Sequence, residues 1–260
     1  MTLSTEKPVA VITGAAKGIG LATAQMFFAQ GYRVASLDAD EAALREAHLS
    51  VSPGDAYEDW WPLPADVSSS VAIDGVVAAI KHKWGRIDVL VNNAGIAFAA
   101  SLHEHSNADW NHVFAVNVNS AFFMARATLP LLQTKGGAIV NVSSMTALVG
   151  QPRGVAYTAS KGALLAMTKA LALELAPHNI RVNCVCPAGV DTPLMQSWAA
   201  SQANPQAVLQ AQAQMHVLGR MATPQEIASA IFFLATPNAS FITGVILPVE
   251  GGATLGYRRT

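Results

Sequence analysis

Charge and cysteine are both scarce in this chain of 260 residues. Only 13% of the residues are charged, and the formal net charge is −1. Because positive and negative charges are nearly equal in number, there is no reason to expect a nucleic acid or an anionic membrane surface as partner. The two cysteines, Cys184 and Cys186, stand two residues apart in a strand-like segment, and no second pair completes a zinc site. We expect two buried thiols, no metal, and a reducing, cytoplasmic setting.

Long hydrophobic runs are also missing. No stretch reaches the roughly 18 apolar residues that a membrane-spanning helix needs. Glu6 and Lys7 precede an apolar stretch that is too short for a signal-peptide core and is typical of a strand. No repeat, low-complexity tract or Pro/Gly/Ser-rich linker interrupts the sequence, so we predict one catalytic domain over residues 1–260.

Short apolar runs alternate with segments of helical period along the chain. Seven runs are predicted strands, at residues 9–13, 33–38, 60–66, 88–95, 138–144, 180–187 and 245–252. Four predicted helices lie between them, at residues 18–31, 71–85, 118–132 and 162–176. This alternation predicts an α/β fold, a doubly wound parallel sheet of Rossmann type with helices on both faces.

Two segments depart from the alternation. Residues 50–60 are typical of a surface connection. Residues 191–218 are rich in Gln and Ala and follow the carboxyl end of a predicted strand, where ligands bind in open α/β sheets. We predict that residues 191–218 form a lid over a site; the alternative is a loosely packed pair of surface helices.

A glycine turn joins the first predicted strand to the first predicted helix. Gly14, Gly18 and Gly20 allow a tight turn and a close approach of backbone to a pyrophosphate, although the spacing is not the standard G-x-G-x-x-G. Asp38 ends the second predicted strand, where a carboxylate accepts from a ribose 2′-OH and repels a 2′-phosphate. Lys17 in the glycine turn favours NADP instead, because its positive charge could meet a 2′-phosphate. Because like charges are costly together, Asp38 makes NAD the predicted cofactor and NADP less favoured, with a helix N-cap as its alternative role.

Tyr157 and Lys161 stand four residues apart and share one helix face. A free phenol, with a pKa of about 10, is a poor base at neutral pH. An ammonium group roughly 6 Å away favours the phenolate by about 3 kcal/mol at an effective dielectric near 20, whereas burial opposes it. The pair therefore predicts a tyrosine that exchanges a proton near neutral pH, although this spacing alone usually marks a solvated helix face.

Taken together, the ordered motifs resemble the short-chain dehydrogenase/reductase family, in its short single-domain branch. The matching residues are Thr13, Gly14, Gly18, Ile19, Gly20, Asp66, Val67, Asn92, Asn93, Ala94, Gly95, Asn117, Ser144, Tyr157 and Lys161. The resemblance implies that Tyr157 is the general acid/base and that Ser144 hydrogen-bonds the substrate oxygen. It also implies that Lys161 binds the cofactor ribose and that Asn117 holds a water in a proton relay.

The resemblance extends to the cofactor residues. Asp66 and Val67 match the pair that meets the adenine, while Pro187, Val190 and Thr192 match the segment near the nicotinamide. The sequence departs from the family pattern at two places. Ala188 stands where glycine usually follows the proline, and Glu250 stands where aspartate is usual.

Substrate contacts are expected from residues 95–101, 145–154 and the lid. Met145 offers an apolar lining beside Ser144 and Tyr157, while Gln151 and Arg153 either face inward to hold a hydroxyl or carboxylate or lie on the surface. The histidines at 103, 105 and 216 lack a third ligand at metal spacing, so no metal site is expected.

The predicted helix at residues 162–176 is apolar on nearly every side. Lys169 and Glu174 are its only charged residues, so its burial requires more than the sheet. We expect a homo-oligomer, and the family resemblance implies a tetramer.

Three functions compete at this point. The favoured one is an NAD-dependent dehydrogenase or ketone reductase for a small secondary alcohol, polyol, sugar or hydroxy acid. A 3-oxoacyl-thioester reductase is the second, but it predicts basic residues at the entrance, and the lid has no Lys or Arg before Arg220. An NAD-sensing regulatory protein is the third, yet the serine, tyrosine and lysine it would have lost are all present.

Overall fold

A single parallel sheet of seven strands organises the computed structural model, which describes residues 7–51 and 58–256. The strand order is β3-β2-β1-β4-β5-β6-β7. The strands are β1 Val9–Thr13, β2 Arg33–Asp38, β3 Trp60–Pro64, β4 Val89–Asn92, β5 Gly137–Val142, β6 Ile180–Pro187 and β7 Ile246–Val249. The predicted doubly wound α/β fold is confirmed. Most of the predicted 50–60 connection, residues 52–57, lies outside the described residues.

Helices connect these strands and cover both faces of the sheet. They are α1 Gly18–Ala29, α2 Glu41–Val51, α3 Ser70–Trp84, α4 Asn107–Phe114, α5 Ser120–Leu132, α6 Thr146–Val149, α7 Val155–Leu175, α8 Pro193–Ala200, α9 Pro205–Met215 and α10 Pro224–Ala235. None of the helices in the described part of the chain is long and apolar enough to cross a membrane. The predicted helix at 162–176 corresponds to most of a longer helix, α7, which begins before Tyr157.

Two apolar layers hold the sheet from opposite sides. Val11, Leu90 and Ile139 point into one layer with α3, α5 and α7, while their strand neighbours Ile12 and Val91 point into the other with α1 and α10. Strands buried on both faces carry continuous apolar runs, which is why seven of them could be located from the sequence. Each fully buried aliphatic side chain contributes about 1.5–3 kcal/mol.

The predicted fourth strand, at residues 88–95, is longer than the observed β4. It ends at Asn92 because the N–H groups of Asn93 and Ala94 both donate to the hydroxyl of Thr13 rather than to a neighbouring strand. The chain therefore leaves the sheet one residue after β4 and forms a loop at the carboxyl edge.

The order in which strands are added to the sheet reverses at β1, which pairs with β2 on one side and β4 on the other. Connections on either side of this point run away from each other, leaving a crevice at the carboxyl ends of the strands. The ends of β1, β4 and β5 therefore bring Thr13, Asn92 and Ser144 to the same edge. The candidate site is built there.

Candidate active site

The glycine turn after β1 has the shape that a dinucleotide requires. Gly14 and Gly18 have φ values of +65° and +57°, which side chains other than glycine rarely adopt. A Cβ added at Gly20 would lie 1.9 Å from the Gly14 carbonyl oxygen, so glycine is required for close packing. The Asn93 amide closes the turn by donating to the carbonyls of Thr13 and Gly14 at 2.9 and 3.1 Å. The turn leads into α1, whose N-terminus favours an anion such as pyrophosphate.

A cluster of three charged residues lies beside this turn. Asp38 accepts from the N–H groups of Ala16 and Asp40, each at 3.0 Å. Asp40 caps α2 by accepting from the Ala43 N–H at 3.0 Å. The helix-capping role that was the alternative for Asp38 is therefore filled by Asp40. The Lys17 ammonium lies 2.8 Å from Asp40, whose hydrogen bond and charge raise the pKa of Lys17. The cation of the turn is thus already paired with a carboxylate.

The remaining cofactor positions flank the same crevice. Asp66 accepts from the backbone and hydroxyl of Ser68 at 2.9 and 2.8 Å, and the neighbouring Val67 is buried. Thr192 caps α8 and lies against Gly18, where an added Cβ would be 3.2 Å from its methyl group. The set is completed by Ile19 in α1, Ala94 and Gly95 after β4, Pro187 at the end of β6, and Val190 after β6. The glycines leave room for a pyrophosphate close to the backbone, and Asp38 offers an acceptor to a ribose hydroxyl. These residues therefore fit a nicotinamide dinucleotide.

Tyr157 and Lys161 lie in α7, facing Ser144 at the end of β5. The Lys161 ammonium is buried, donates to the Val142 carbonyl at 2.9 Å and lies 5.8 Å from the Tyr157 ring centroid. Tyr157 forms a hydrogen bond with Ser144 and keeps part of its surface accessible. The structure therefore brings together the phenol, hydroxyl and ammonium that are distant in the sequence.

Burial sets the proton affinities of this group. Burial raises the pKa of Tyr157, and the hydrogen bond from Ser144 opposes that rise. The direction is opposite to the one predicted from the Lys161 charge alone, because removal of the phenol from water is the largest cause of the shift. Burial also lowers the pKa of Lys161 to about 8, partly offset by the thiols of Cys184 and Cys186. A proton thus moves easily onto or off the lysine near neutral pH.

Asn117 lies in a π-helical turn, Ala115–Asn119, between α4 and α5. Its amide donates to the Ile96 carbonyl and the Ser160 hydroxyl, each at 3.0 Å, and its oxygen accepts from the Ile96 N–H at 2.8 Å. Ser160 in turn donates to the Tyr157 carbonyl at 2.7 Å. π-Helical turns occur frequently at functional sites, and this one directs the asparagine side chain between the β4 loop and α7.

The residues predicted to contact substrate lie on two loops at the entrance. The Ala100 N–H donates to the Arg153 carbonyl at 2.8 Å, which joins the loop after β4 to the loop before α7. Gln151 and Arg153 are exposed, and the guanidinium lies 3.3 Å from Glu104. Met145 is partly buried next to Ser144. Arg153 has a φ of +59°, so its backbone shapes the turn while its charge faces Glu104.

Four residues of the site were not identified from the sequence. Ser160, Thr146, Asp40 and His216 act through contacts with partners that only folding brings near, and no spacing rule marks them.

Among the described residues, no group of three His, Cys, Asp or Glu side chains is arranged to hold a metal ion. Cys184 and Cys186 are free and fully buried in β6.

Comparison with known proteins identifies the family. A family described as enoyl-(acyl carrier protein) reductase matches residues 14–254. L-Fucose dehydrogenase of Mus musculus is 38% identical over 252 residues, which cover 96% of this chain and 90% of that protein. Meso-2,3-butanediol dehydrogenase of Serratia marcescens is 38% identical over 250 residues, covering 96% and 95%.

A solved structure agrees with these relatives. The 3-ketoacyl-(acyl-carrier-protein) reductase of Brucella melitensis, complexed with NADH, superimposes with a TM-score of 0.85 at 32% identity, covering 96% of this chain and 100% of that one. The chain belongs to the short-chain dehydrogenase/reductase family. It is an oxidoreductase that acts on CH–OH groups with a nicotinamide cofactor.

Proposed function

We propose that this protein is an NAD-dependent dehydrogenase or ketone reductase acting on a small secondary alcohol, with a polyol, sugar or hydroxy acid favoured. The observation that carries the proposal is the convergence of Ser144, Tyr157, Lys161 and Asn117 at the carboxyl edge of the sheet, beside the glycine turn. A bound nicotinamide supplies or accepts the hydride.

The chain's own residues supply the proton chemistry in this proposal. Tyr157 takes the hydroxyl proton during oxidation and returns it during reduction, acting as general base or acid. Ser144 donates a hydrogen bond to the same substrate oxygen, where negative charge develops. Lys161, with a pKa near 8, holds the ribose and passes protons between Tyr157 and a water positioned by Asn117. The ammonium also opposes the effect of burial on the phenol when both are desolvated.

Preference for NAD rests on the charge around the ribose position. Asp38 presents a carboxylate at the end of β2, and Asp40 pairs with Lys17 at 2.8 Å. A 2′-phosphate would meet one acidic residue directly and find the turn's cation already neutralised. A ribose 2′-OH instead finds an acceptor.

The substrate class rests on the lining of the entrance and on the relatives. Residues of α8 and α9 include no Lys or Arg, so neither helix offers a cation to the phosphate of an acyl-carrier arm. Relatives that act on L-fucose and meso-2,3-butanediol support a small polyhydroxylated or vicinal substrate. The ketoacyl reductase in the comparison keeps a 3-oxoacyl-thioester reductase as the second candidate. Retention of all four catalytic side chains argues against a purely NAD-sensing regulator.

Oligomeric state follows from two exposed apolar patches. Patch A comprises Phe122 on α5 and Leu173 on α7, which are 47% and 81% exposed. Patch B comprises Phe233 on α10 and Phe241 before β7, which are 42% and 103% exposed. The patches belong to the layers on opposite faces of the sheet. Two separate patches suit a homotetramer with two kinds of two-fold interface.

Residues 191–218 act in this proposal as a lid on the one catalytic domain. Helices α8 and α9 follow β6 at the carboxyl edge, so a shift of the pair would open or cover the crevice. Two free buried thiols and a helix set without a membrane span among the described residues suit a cytoplasmic enzyme.

The decisive experiment is turnover of the purified protein with NAD and NADP separately. A panel of secondary alcohols, sugars, polyols, hydroxy acids and a 3-oxoacyl thioester is followed by reduced-nicotinamide absorbance. We expect activity with NAD and one class of small alcohol.

Tyr157→Phe is the matched variant for this experiment, and it should lose turnover at least about 100-fold while binding NAD as the wild type does. Wild-type turnover in that variant would remove Tyr157 from its role. Activity confined to the thioester would establish the second candidate instead.

A further inference from the structure

Thr146 lies directly beside Ser144 and makes two contacts with its hydroxyl oxygen. The Thr146 backbone N–H donates to Ser144 Oγ at 3.2 Å, and the Thr146 hydroxyl also lies 3.2 Å from it in donating geometry. Both side chains are buried, with 8% of their surface exposed. Neither the family resemblance nor the sequence spacing assigns Thr146 a part in the reaction.

A serine hydroxyl has one proton to donate and two lone pairs with which to accept. Here the N–H and the hydroxyl of Thr146 occupy the two accepting positions of Ser144. The proton of Ser144 must then point away from Thr146, toward Tyr157 and the position of the substrate oxygen. A donor held in that direction is what a developing alkoxide requires.

The backbone around Thr146 is held firmly enough to keep this geometry. The Met145 N–H donates to the Pro187 carbonyl at 2.8 Å, and the Gly150 N–H donates to the Thr146 carbonyl at 2.8 Å. Thr146 is also the first residue of α6, packed against α7. The donor pair therefore belongs to a fixed element rather than to a mobile loop.

We propose that Thr146 is a positioning residue that makes Ser144 an obligatory hydrogen-bond donor, whose single proton is directed at the side where the phenolic and substrate oxygens lie. This deepens the proposed function and rests on it, because the role has meaning only if Ser144 and Tyr157 carry the proton chemistry. Without the Thr146 hydroxyl, one lone pair of Ser144 is free to accept from the Tyr157 phenol. That contact stabilises the neutral phenol, raises the pKa of Tyr157 and leaves less phenolate to act as base near neutral pH.

The test compares Thr146→Val, which removes the hydroxyl at nearly constant shape, with Thr146→Ser, which keeps it. The rate of alcohol oxidation is measured across pH. We expect Thr146→Val to lower kcat near neutral pH by about 3- to 10-fold and to displace the acidic limb of kcat by about 0.7 of a pH unit toward alkaline values. Thr146→Ser should restore both, and the dissociation constant for NAD should stay within about two-fold of wild type in each.

A second readout needs neither cofactor nor substrate. Tyrosinate formation is titrated by ultraviolet difference absorbance, and the Tyr157 contribution is isolated by subtracting the Tyr157→Phe titration. We expect its midpoint to be more alkaline in Thr146→Val than in wild type and unchanged in Thr146→Ser. Thr146→Ala replaces the valine variant if thermal unfolding shows that valine does not fold there.

The two levels of failure are distinguishable. An unchanged pH profile and an unchanged tyrosinate titration in Thr146→Val would overturn the positioning role and leave Thr146 as a packing residue. A shift in the opposite direction would show that Ser144 donates to Thr146 and would also overturn it. Wild-type turnover in Tyr157→Phe would instead remove the proposed function, whatever the Thr146 variants do.

Discussion

At the scale of single residues, the site depends on polar groups that the fold holds out of water. Lys161 is buried, bonded to the Val142 carbonyl and close to the phenol of Tyr157. Keeping an ammonium there costs stability, and proteins commonly accept such a cost at catalytic positions. The size and sign of that cost can be measured from the way the free energy of unfolding changes with pH.

The first prediction concerns Lys161→Met. The folded pKa of Lys161 is about 8, below its unfolded value of 10.5. Between these values the unfolded chain binds more protons than the folded one, so the free energy of unfolding rises with pH. We expect wild type to gain about 3 kcal/mol relative to Lys161→Met from about pH 7.5 to pH 11, measured by urea unfolding. Lys169→Met, which replaces an exposed lysine on the same helix, is the control variant.

The second prediction concerns cofactor choice. Asp38→Ala removes the carboxylate facing a 2′-phosphate, and Asp40→Asn removes the partner of Lys17. We expect the ratio of NADP to NAD dissociation constants to fall by about 10-fold or more in Asp38→Ala and by a smaller factor in Asp40→Asn. Glu41→Gln, which removes a nearby charge that pairs with Arg45 instead, is the control. An unchanged ratio in Asp38→Ala would leave Asp38 with a structural role only.

At the scale of elements, His216 connects the segment that we propose as a lid to two loops of the sheet edge. The buried ring of His216 accepts from the Gly189 N–H at 3.2 Å through Nε2, and its Nδ1 donates to the Gln212 carbonyl at 2.7 Å. A Cβ added at Gly189 or Gly251 would approach the ring to 2.9 or 3.2 Å. The ring thus fills a socket made by two glycines from different loops. Ala188, the departure from the family pattern, leaves glycine one position later, where this socket needs it.

The third prediction tests that attachment. His216→Phe keeps an aromatic ring but loses both hydrogen bonds, each worth about 1 kcal/mol. We expect amide hydrogen exchange in residues 191–218 to accelerate by about 30-fold while the exchange of α7 stays unchanged. His103→Phe, an exposed histidine outside this segment, should exchange as wild type does. Uniform acceleration across the whole chain would mean that His216 stabilises the fold rather than the lid.

At the scale of the whole molecule, patch A and patch B are two groups of exposed apolar residues that lie on opposite sides of the sheet. Patch A and patch B are in the layers on opposite faces of the sheet, so one cannot cover the other within a chain. Large areas of exposed apolar surface commonly mark interaction sites. A tetramer would cover both patches.

The fourth prediction is that each patch holds a separate interface. Phe122→Glu in patch A and Phe241→Glu in patch B should each convert tetramers to dimers, and the double variant should be monomeric. Burying a carboxylate without a partner costs several kcal/mol per interface. Sedimentation velocity gives the masses, and Val71→Glu, an exposed apolar position outside both patches, is the control. A wild-type monomer at micromolar concentration would contradict the proposed assembly.

Elements with a strong local signal were predicted from the sequence, and elements without one were not. The ends of β1, β2 and β6 agree with the predicted strands because each is a mainly apolar run between polar or turn residues. The π-helical turn at Ala115–Asn119 had no such signal, since its shape is imposed by the contacts of Asn117 with the β4 loop. Ser160 and Thr146 could not be found either, because their partners are chosen by tertiary packing.

The sequence by itself determined the fold class and the family, and through the family resemblance it predicted the catalytic side chains and the acidic residue at the ribose position. The fold class depends on periodicity and the resemblance depends on the order of short motifs, and both are read along the chain. Only the tertiary structure decided which hydrogen bonds Ser144 receives, that Asp40 pairs with Lys17, and that burial rather than the neighbouring ammonium sets the proton affinity of Tyr157. Each of these depends on distance and solvent exposure, and both are properties of the folded chain alone.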